Sequence, residues 1–184
     1  MAEAVCPWWL GYFLANPVRR MMHNPEQILE PYIKENMKVV DIGCGMGFFS
    51  LPIAKMVGEK GQVICIDLQQ QMIKSLHKKA SKAGLLSRIE TRICTESSLQ
   101  IDDLIGEINF ILAFAVIHEI PDASDALTQI YHSLKKGGNL LISEPSHHVS
   151  KEDFDVSVET AKKIGFQVKE YLKIRSSFSV LLKT

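Results

Sequence analysis

Two carboxylates and three glycines are the residues of this chain whose types and spacing best suit a chemical task. Asp41, Gly43, Gly45 and Gly47 stand on alternate positions in Val39-Val40-Asp41-Ile42-Gly43-Cys44-Gly45-Met46-Gly47-Phe48-Phe49. Glycine has no side chain, so such a loop is compact and lets a ligand approach the backbone closely. Met37 to Ile42 ahead of it reads as a buried strand, and Phe48, Leu51, Ala54 and Val57 behind it as the apolar stripe of a helix. A strand, a glycine turn and a helix start together suit a small anionic group. The first helical N–H groups are unpaired, and the dipole favours negative charge. Val63 to Asp67 reads as the next strand, and Asp67 ends it 20 positions after Gly47. An acid there can accept hydrogen bonds from both hydroxyls of a ribose. The plain alternative makes Asp41 and Asp67 ordinary strand-end residues around a tight turn. The combination of strand, glycine loop, helix, strand and acid argues against it.

Which nucleoside fits? A dinucleotide fingerprint needs G-x-G-x-x-G, and Phe48 stands where its third glycine belongs. The observed D-x-G-x-G-x-G instead resembles motif I of the class I S-adenosylmethionine (AdoMet) dependent methyltransferases. The resemblance covers about residues 37 to 184. It implies AdoMet as cofactor and S-adenosylhomocysteine as product, with contacts from Asp41, Gly43, Gly45, Gly47, Asp67, Leu68 and Met72. In this family an acid after the third strand often meets adenine. Thr95 or Glu96 occupies that place here, and a backbone N–H is the alternative partner. The segment from Phe114 to Asp122 resembles the one after strand four, where a backbone carbonyl meets the methionyl amino group. One departure from the family pattern is Lys136, which replaces the usual Pro before Gly137-Gly138.

The elements that must position these residues follow from the pattern. Gln69 to Ala83 predicts a helix with stripe Met72, Ile73, Leu76 and Ala80, with Lys74, Lys78, Lys79 and Lys82 facing water, ended by Gly84. Strands are expected at 89–94, at 108–113 and, after the Lys135–Asn139 turn, at 140–143, with Glu144-Pro145 closing the last. Asp122 caps a helix with stripe Ala126, Leu127, Ile130, Tyr131 and Leu134. Ser150 opens another with Phe154, Val158, Ala161 and Ile164 buried, and Gly165 ends it. Two alternating runs, 166–174 and 178–182, close the chain as an antiparallel hairpin. The expected fold is a three-layer α-β-α sandwich on a seven-stranded, mostly parallel sheet with right-handed crossovers.

About 36 residues precede the first core strand and predict a helical cap, leaving 37–184 as the AdoMet-binding domain. Asn16-Pro17 and Asn24-Pro25 both read as helix starts, and Pro31 bends or ends the second helix. The aromatic run Trp8, Trp9, Tyr12 and Phe13 either walls the substrate or cofactor, or covers a sheet edge or an oligomer contact.

Length and composition bound the rest. A chain of 184 residues with 46% hydrophobic content suggests one domain with a proper core. Basic and acidic residues balance at 21 each, which gives no electrostatic footprint for nucleic acid or an acidic membrane. No apolar run approaches the ~20 residues of a membrane span, and the start lacks a signal-peptide pattern, so a cytoplasmic protein is expected. Cys6, Cys44, Cys65 and Cys94 show no C-x-x-C spacing, and no metal site is expected.

Ligands of open α/β sheets bind beyond the carboxyl ends of the strands, and the polar residues named above gather there. Methyl transfer from a sulfonium has a neutral leaving group. The work lies in alignment, and a base is needed only for a protonated acceptor. His118 and Glu119 are the candidate bases by position, with packing against the cap as the other reading of His118. Glu144 and His147, with Trp9, Tyr12, Phe13 and His118, are the candidate acceptor contacts, while His147-His148 also reads as a plain loop pair. The leading expectation is a methyltransferase acting on a small molecule, since no long insertion exists to embrace a macromolecule. Its rivals are a protein or nucleic-acid methyltransferase, a non-catalytic AdoMet-binding partner, and a nucleotide-dependent oxidoreductase.

Overall fold

A computed structural model describes residues 23–184. Cys6, the aromatic run Trp8, Trp9, Tyr12 and Phe13, and the helix start expected at Pro17 lie outside these residues.

In chain order the elements are α1 (Pro25–Leu29), β1 (Lys38–Ile42), α2 (Ser50–Met56), β2 (Gln62–Asp67), α3 (Gln70–Lys82), β3 (Ile89–Ile93), β4 (Ile108–Phe114), α4 (Ala123–Ser133), β5 (Leu134–Pro145), α5 (Lys151–Ile164), β6 (Gln167–Leu172) and β7 (Ser177–Lys183). They build one seven-stranded sheet in the order β3-β2-β1-β4-β5-β7-β6. The first five strands run parallel, and β7 lies antiparallel between β5 and β6. The order reverses at β1, which pairs with β2 on one side and β4 on the other. Such a switch point opens a crevice at the carboxyl ends of the strands.

Strand alternation sorts the core into two faces. Val40, Ile42, Ile64, Ile66, Ile111 and Leu140 pack under α4 and α5 through Leu127, Ile130, Phe154 and Val158. Val39, Val63, Cys65, Phe110, Leu112 and Leu141 pack under α1, α2 and α3 through Leu29, Ile53 and Leu76. The three layers and the closing hairpin match the sequence expectation. Leu29 and Ile33 are buried in the second cluster, so the chain ahead of β1 already contributes to the core.

Capping explains several boundaries. Asn24 Oδ1 accepts the N–H groups of Glu26 and Gln27 at the start of α1. Asp122 accepts from Asp125 N, and Ser150 from Asp153 N. Gly84 takes a positive φ just past α3, which a side chain there would resist.

Three local expectations are corrected. The buried face of α2 is Ser50, Ile53 and Ala54, while Phe48 and Leu51 are only half-buried. Phe48 precedes the helix and does not share its phase. The Gly137-Gly138 stretch is not a turn ahead of a short strand: β5 runs from Leu134, with Ile108 facing Leu134 and Phe110 facing Asn139 across a register shift. The bulge absorbs the two glycines without ending the pairing. Lys79 is half-buried and donates from Nζ to the Met46 carbonyl at 3.2 Å, unlike its three neighbours on the exposed side of α3.

Candidate active site

The glycine loop leaves β1 and turns over the carboxyl end of the sheet. Gly43, Gly45 and Gly47 all have positive φ, at 67°, 53° and 86°. Their surroundings differ. A Cβ on Gly43 would stand 2.7 Å from Val116 Cγ2, and one on Gly47 would stand 2.3 Å from Leu76 Cδ1. A Cβ on Gly45 would meet nothing within 4 Å. The outer glycines are thus packed against protein, and the middle one faces open space.

Asp67 fixes that middle residue. Its Oδ2 accepts the Gly45 N–H at 2.8 Å and its Oδ1 accepts the Gln69 N–H at 2.9 Å. Cys44 N donates to Ile66 O at 3.0 Å, a second tie between the loop and β2. Burial raises the Asp67 pKa above its ordinary value, with the two N–H donors opposing the shift. The carboxylate therefore latches the loop, a role its spacing alone did not reveal. Each oxygen still has a lone pair for a hydroxyl on the open side.

Asp41 makes a different tie. It is buried and accepts from Ser50 Oγ at 2.5 Å, which ties β1 to the start of α2. That helix has seven residues and begins four turn residues after Gly45, so the amides nearest Gly45 belong to the loop and not to a helix N-terminus. Cys44 Sγ donates to the Gly45 carbonyl at 3.7 Å, and the neighbouring Cys65 thiol together with burial pushes its thiol pKa well up. Such thiols are inert core groups.

Around the β2 exit, Leu68 is exposed and Met72 is buried at the start of α3. Thr95 and Glu96 are both exposed in a small turn closed by the Thr95–Ser98 bridge. These four flank Asp67 on the β2–β3 side.

On the other side of β1, Phe114 is the last residue of β4 and is buried against Phe49, ring centroids 4.5 Å apart. Ala115 then takes a φ of 56° and donates its N–H to Ser143 O at 2.7 Å. A positive φ is costly for alanine, by roughly 1–2 kcal/mol. The sharp turn sends Val116 over Gly43 and starts a 3-10 turn, Ile117–Glu119. Glu144 meets this turn from the end of β5. It is 2% exposed, its Oε1 accepts the Ile117 N–H at 2.8 Å, and its Oε2 pairs with His118 Nδ1. The sequence reading placed Glu144 against the acceptor. Its oxygens instead hold the backbone and ring of the adjoining turn. No local signal marks this pair, because 26 residues separate its members.

Glu119 is half-buried in the same turn. His147 and His148 are exposed, with ring centroids 4.4 Å apart. Among the described residues no cluster of three or more metal-ligating side chains occurs. No helix of the described residues is long and apolar enough to cross a membrane. His23 reaches the crevice from the other end of the chain. Its ring packs edge-on to Phe114 at 5.3 Å, and its Nε2 meets Arg175 O at 2.8 Å.

Residues 33–177 match a family model described as a methyltransferase domain. The chain is similar to the ubiquinone/menaquinone biosynthesis C-methyltransferase of Shewanella oneidensis, 29% identical over 136 residues that cover 72% of this chain and 53% of that protein. The corresponding protein of Pectobacterium atrosepticum is 31% identical over 121 residues, covering 65% of this chain and 47% of its own. The chain thus spans about half the length of the curated relatives it matches. Among solved structures it is similar to a SAM-dependent methyltransferase from Aquifex aeolicus. That match has a TM-score of 0.85 and 26% identity, and it covers 97% of this chain and 99% of that one. A TehB-like SAM-dependent methyltransferase from Corynebacterium glutamicum shares the fold, with a TM-score of 0.73 at 18% identity over 96% of this chain and 98% of that one.

Proposed function

This chain belongs to the methyltransferase domain family of class I AdoMet-dependent enzymes, and from that premise we propose that it moves a methyl group from AdoMet to a small-molecule acceptor. The observation that carries the reading is the cradle at Gly45. It is open where its neighbours are filled, and its N–H is pinned by a carboxylate that retains acceptor capacity toward the crevice.

The residues present fit the cofactor. Asp67 would take the ribose hydroxyls, the Gly43–Gly47 backbone would lie along the methionyl portion, and Leu68 and Met72 would flank the adenine. Thr95, Glu96 or the backbone of their turn would meet the base edge, and the Phe114 carbonyl region the amino group. Bound there, AdoMet supplies an electrophilic methyl whose sulfur leaves as a neutral thioether. The chain's own share is then to align and to shield. Alignment of nucleophile, carbon and sulfur alone can supply up to about 7–11 kcal/mol. Phe49 and Phe114 give the crevice an apolar floor beside the loop. His118 stands in the turn after β4, two residues beyond the Val116 that covers Gly43.

The small-molecule class is supported by the balanced charge and by the acceptors implied by the names of its relatives. On this reading 37–184 form the AdoMet-binding domain and the segment 1–36 a cap that is anchored to it through Leu29 and Ile33 in the core. His23, seated on Phe114 and on the Arg175 carbonyl, brings the residues just ahead of α1 to the β4 exit.

Titration calorimetry with AdoMet and S-adenosylhomocysteine tests the reading directly. Heat with both, at one site per chain, is expected. Transfer of labelled methyl to compounds in the low-mass fraction of a cell extract, and not to its protein or RNA, is the second expectation. No heat with either nucleoside, or label confined to macromolecules, would overturn it.

A further inference from the structure

We propose that Lys79 is a positioning residue for the cofactor: its ammonium group locks the Met46–Gly47 peptide of the glycine loop in the orientation that accepts the methionyl end of AdoMet. This role rests on the AdoMet reading above and adds a cation to the residues that serve it.

Lys79 is out of place for a solvated lysine. Lys74, Lys78 and Lys82 are exposed on α3, whereas Lys79 is half-buried, with Nζ 3.2 Å from the Met46 carbonyl oxygen. Burial disfavours an ammonium and pushes the Lys79 pKa down. Among the described residues no carboxylate forms an ion pair with it. The group that meets the buried cation is a main-chain oxygen of the glycine loop, in a charge-assisted hydrogen bond.

The loop needs a tie at this point. Gly47 takes a φ of 86°, and Leu76 leaves no room for a Cβ there. Glycine is therefore required, yet glycine also lets the peptide ahead of it turn over at little cost. A trans peptide is planar, so its two polar ends move together. Here both ends are held: the Gly47 N–H donates to Cys44 O at 3.0 Å, and the Met46 C=O accepts from Lys79. Leu76 and Lys79 stand at i and i+3 on α3, so one face of that helix closes over Gly47 and grips the peptide before it. Asp67 holds the same loop from β2 through the Gly45 N–H. The two ties are opposite in charge: a carboxylate fixes an N–H, and an ammonium fixes a C=O.

That difference bears on the ligand. The Gly43–Gly47 backbone is the part assigned above to the methionyl portion, which carries a carboxylate. A carbonyl oxygen left free on this stretch would repel it. With Lys79 in place the Met46 oxygen is turned to α3 and met by positive charge. The adenosine end is assigned to Asp67, Leu68 and Met72 and makes no demand on the Met46 peptide. Loss of the ammonium should therefore weaken ligands that carry the amino-acid end and spare those that lack it.

Calorimetry with two nucleosides tests this in the full chain. S-adenosylhomocysteine has the amino-acid end; methylthioadenosine keeps the adenosine and the sulfur and lacks it. Lys79→Met keeps an apolar stem and removes the ammonium. S-adenosylhomocysteine should then bind about three- to tenfold more weakly, with methylthioadenosine within about twofold of the unsubstituted protein. The NMR resonance of the Met46 carbonyl carbon should move upfield as its hydrogen bond is lost. Lys79→Arg keeps a cationic donor and should recover most of the affinity. Lys78→Met removes an exposed charge one position away and should leave both affinities within about twofold. Unchanged S-adenosylhomocysteine affinity in Lys79→Met would overturn the inference. So would equal weakening of the two nucleosides, which is what a merely structural role predicts. A loss in Lys79→Arg or Lys78→Met as large as that in Lys79→Met would overturn it too. Absence of nucleoside binding in the unsubstituted protein would instead overturn the function it rests on.

Discussion

The two sides of the crevice are built from different material. At the β1–β2 exits the loop is shaped by backbone, held by glycines at positive φ and by one carboxylate. At the β4–β5 exits side chains are brought together from distant sequence, on a turn that bends at an alanine. Backbone amides and a carboxylate suit a ligand that never changes. Side chains on a strained turn can be exchanged without disturbing the sheet. Under the function proposed above, the contrast separates generality from specificity: the first side would hold a fixed cofactor, and the second would choose the acceptor.

The largest effect should come from the latch on the first side. Asp67→Ala removes the acceptor for two N–H groups, each of which costs about 1–3 kcal/mol when left unsatisfied. A loss of stability of roughly 2–4 kcal/mol is expected by denaturant unfolding, with AdoMet affinity weakened by at least about 1 kcal/mol, or about fivefold. The pH dependence carries the sign of the raised pKa. Because the folded value lies above the unfolded one, protonated Asp67 favours the folded state. That contribution is full below the unfolded pKa and is lost as pH rises through the folded pKa. Cofactor binding runs the other way: affinity should fall as pH drops through the raised value, and the variant should lack this limb. Unchanged affinity with an intact fold would make the latch merely structural and break the comparison.

A smaller effect tests whether the two sides are coupled. Gly43→Ala combines a positive φ with a Cβ 2.7 Å from Val116 Cγ2, and should cost about 1–3 kcal/mol. Val116→Ala relieves the contact and leaves the φ strain. A double-mutant cycle should return an interaction energy of about 0.5–2 kcal/mol, with the double variant more stable than the two single losses predict. Additive losses would mean that the acceptor-side turn does not lean on the loop.

Legibility in the sequence follows the same division. Backbone demands are written locally, as glycine where φ is positive and as apolar runs where strands are buried on both faces. The loop, Asp67 and the order of elements could therefore be read from residue type and spacing. The latch could not, because its donor is a main-chain N–H that any residue would supply at Gly45. Glu144 was legible as a polar residue at a strand exit, but its partner was not, since pairing across 26 residues depends on register. Ala115 gave no sign of a left-handed turn, because its side chain does not favour one. The β5 entry was misread for the opposite reason: Gly137-Gly138 carries a strong turn signal that a bulge inside continuous pairing can also absorb.

The smallest effect belongs to a charge cluster on β3, outside both sides. Arg92 donates to both carboxylate oxygens of Asp103 and to Glu90. Its Asp103 bond lies foremost among the causes that raise the Arg92 pKa, and it also lowers that of Asp103. Asp103 is nevertheless 63% exposed, and solvent screens the pair. Asp103→Asn should therefore change stability by less than about 1 kcal/mol. The depressed carboxyl pKa fixes the sign: what the pair contributes is present above the unfolded pKa and lost as pH falls through the folded one. AdoMet affinity should stay within about twofold. The cluster lies on the sheet's edge strand, so a larger loss of affinity would mean that β3 transmits to the turn at Thr95–Ser98. The cofactor side would then extend beyond the backbone cradle that now defines it.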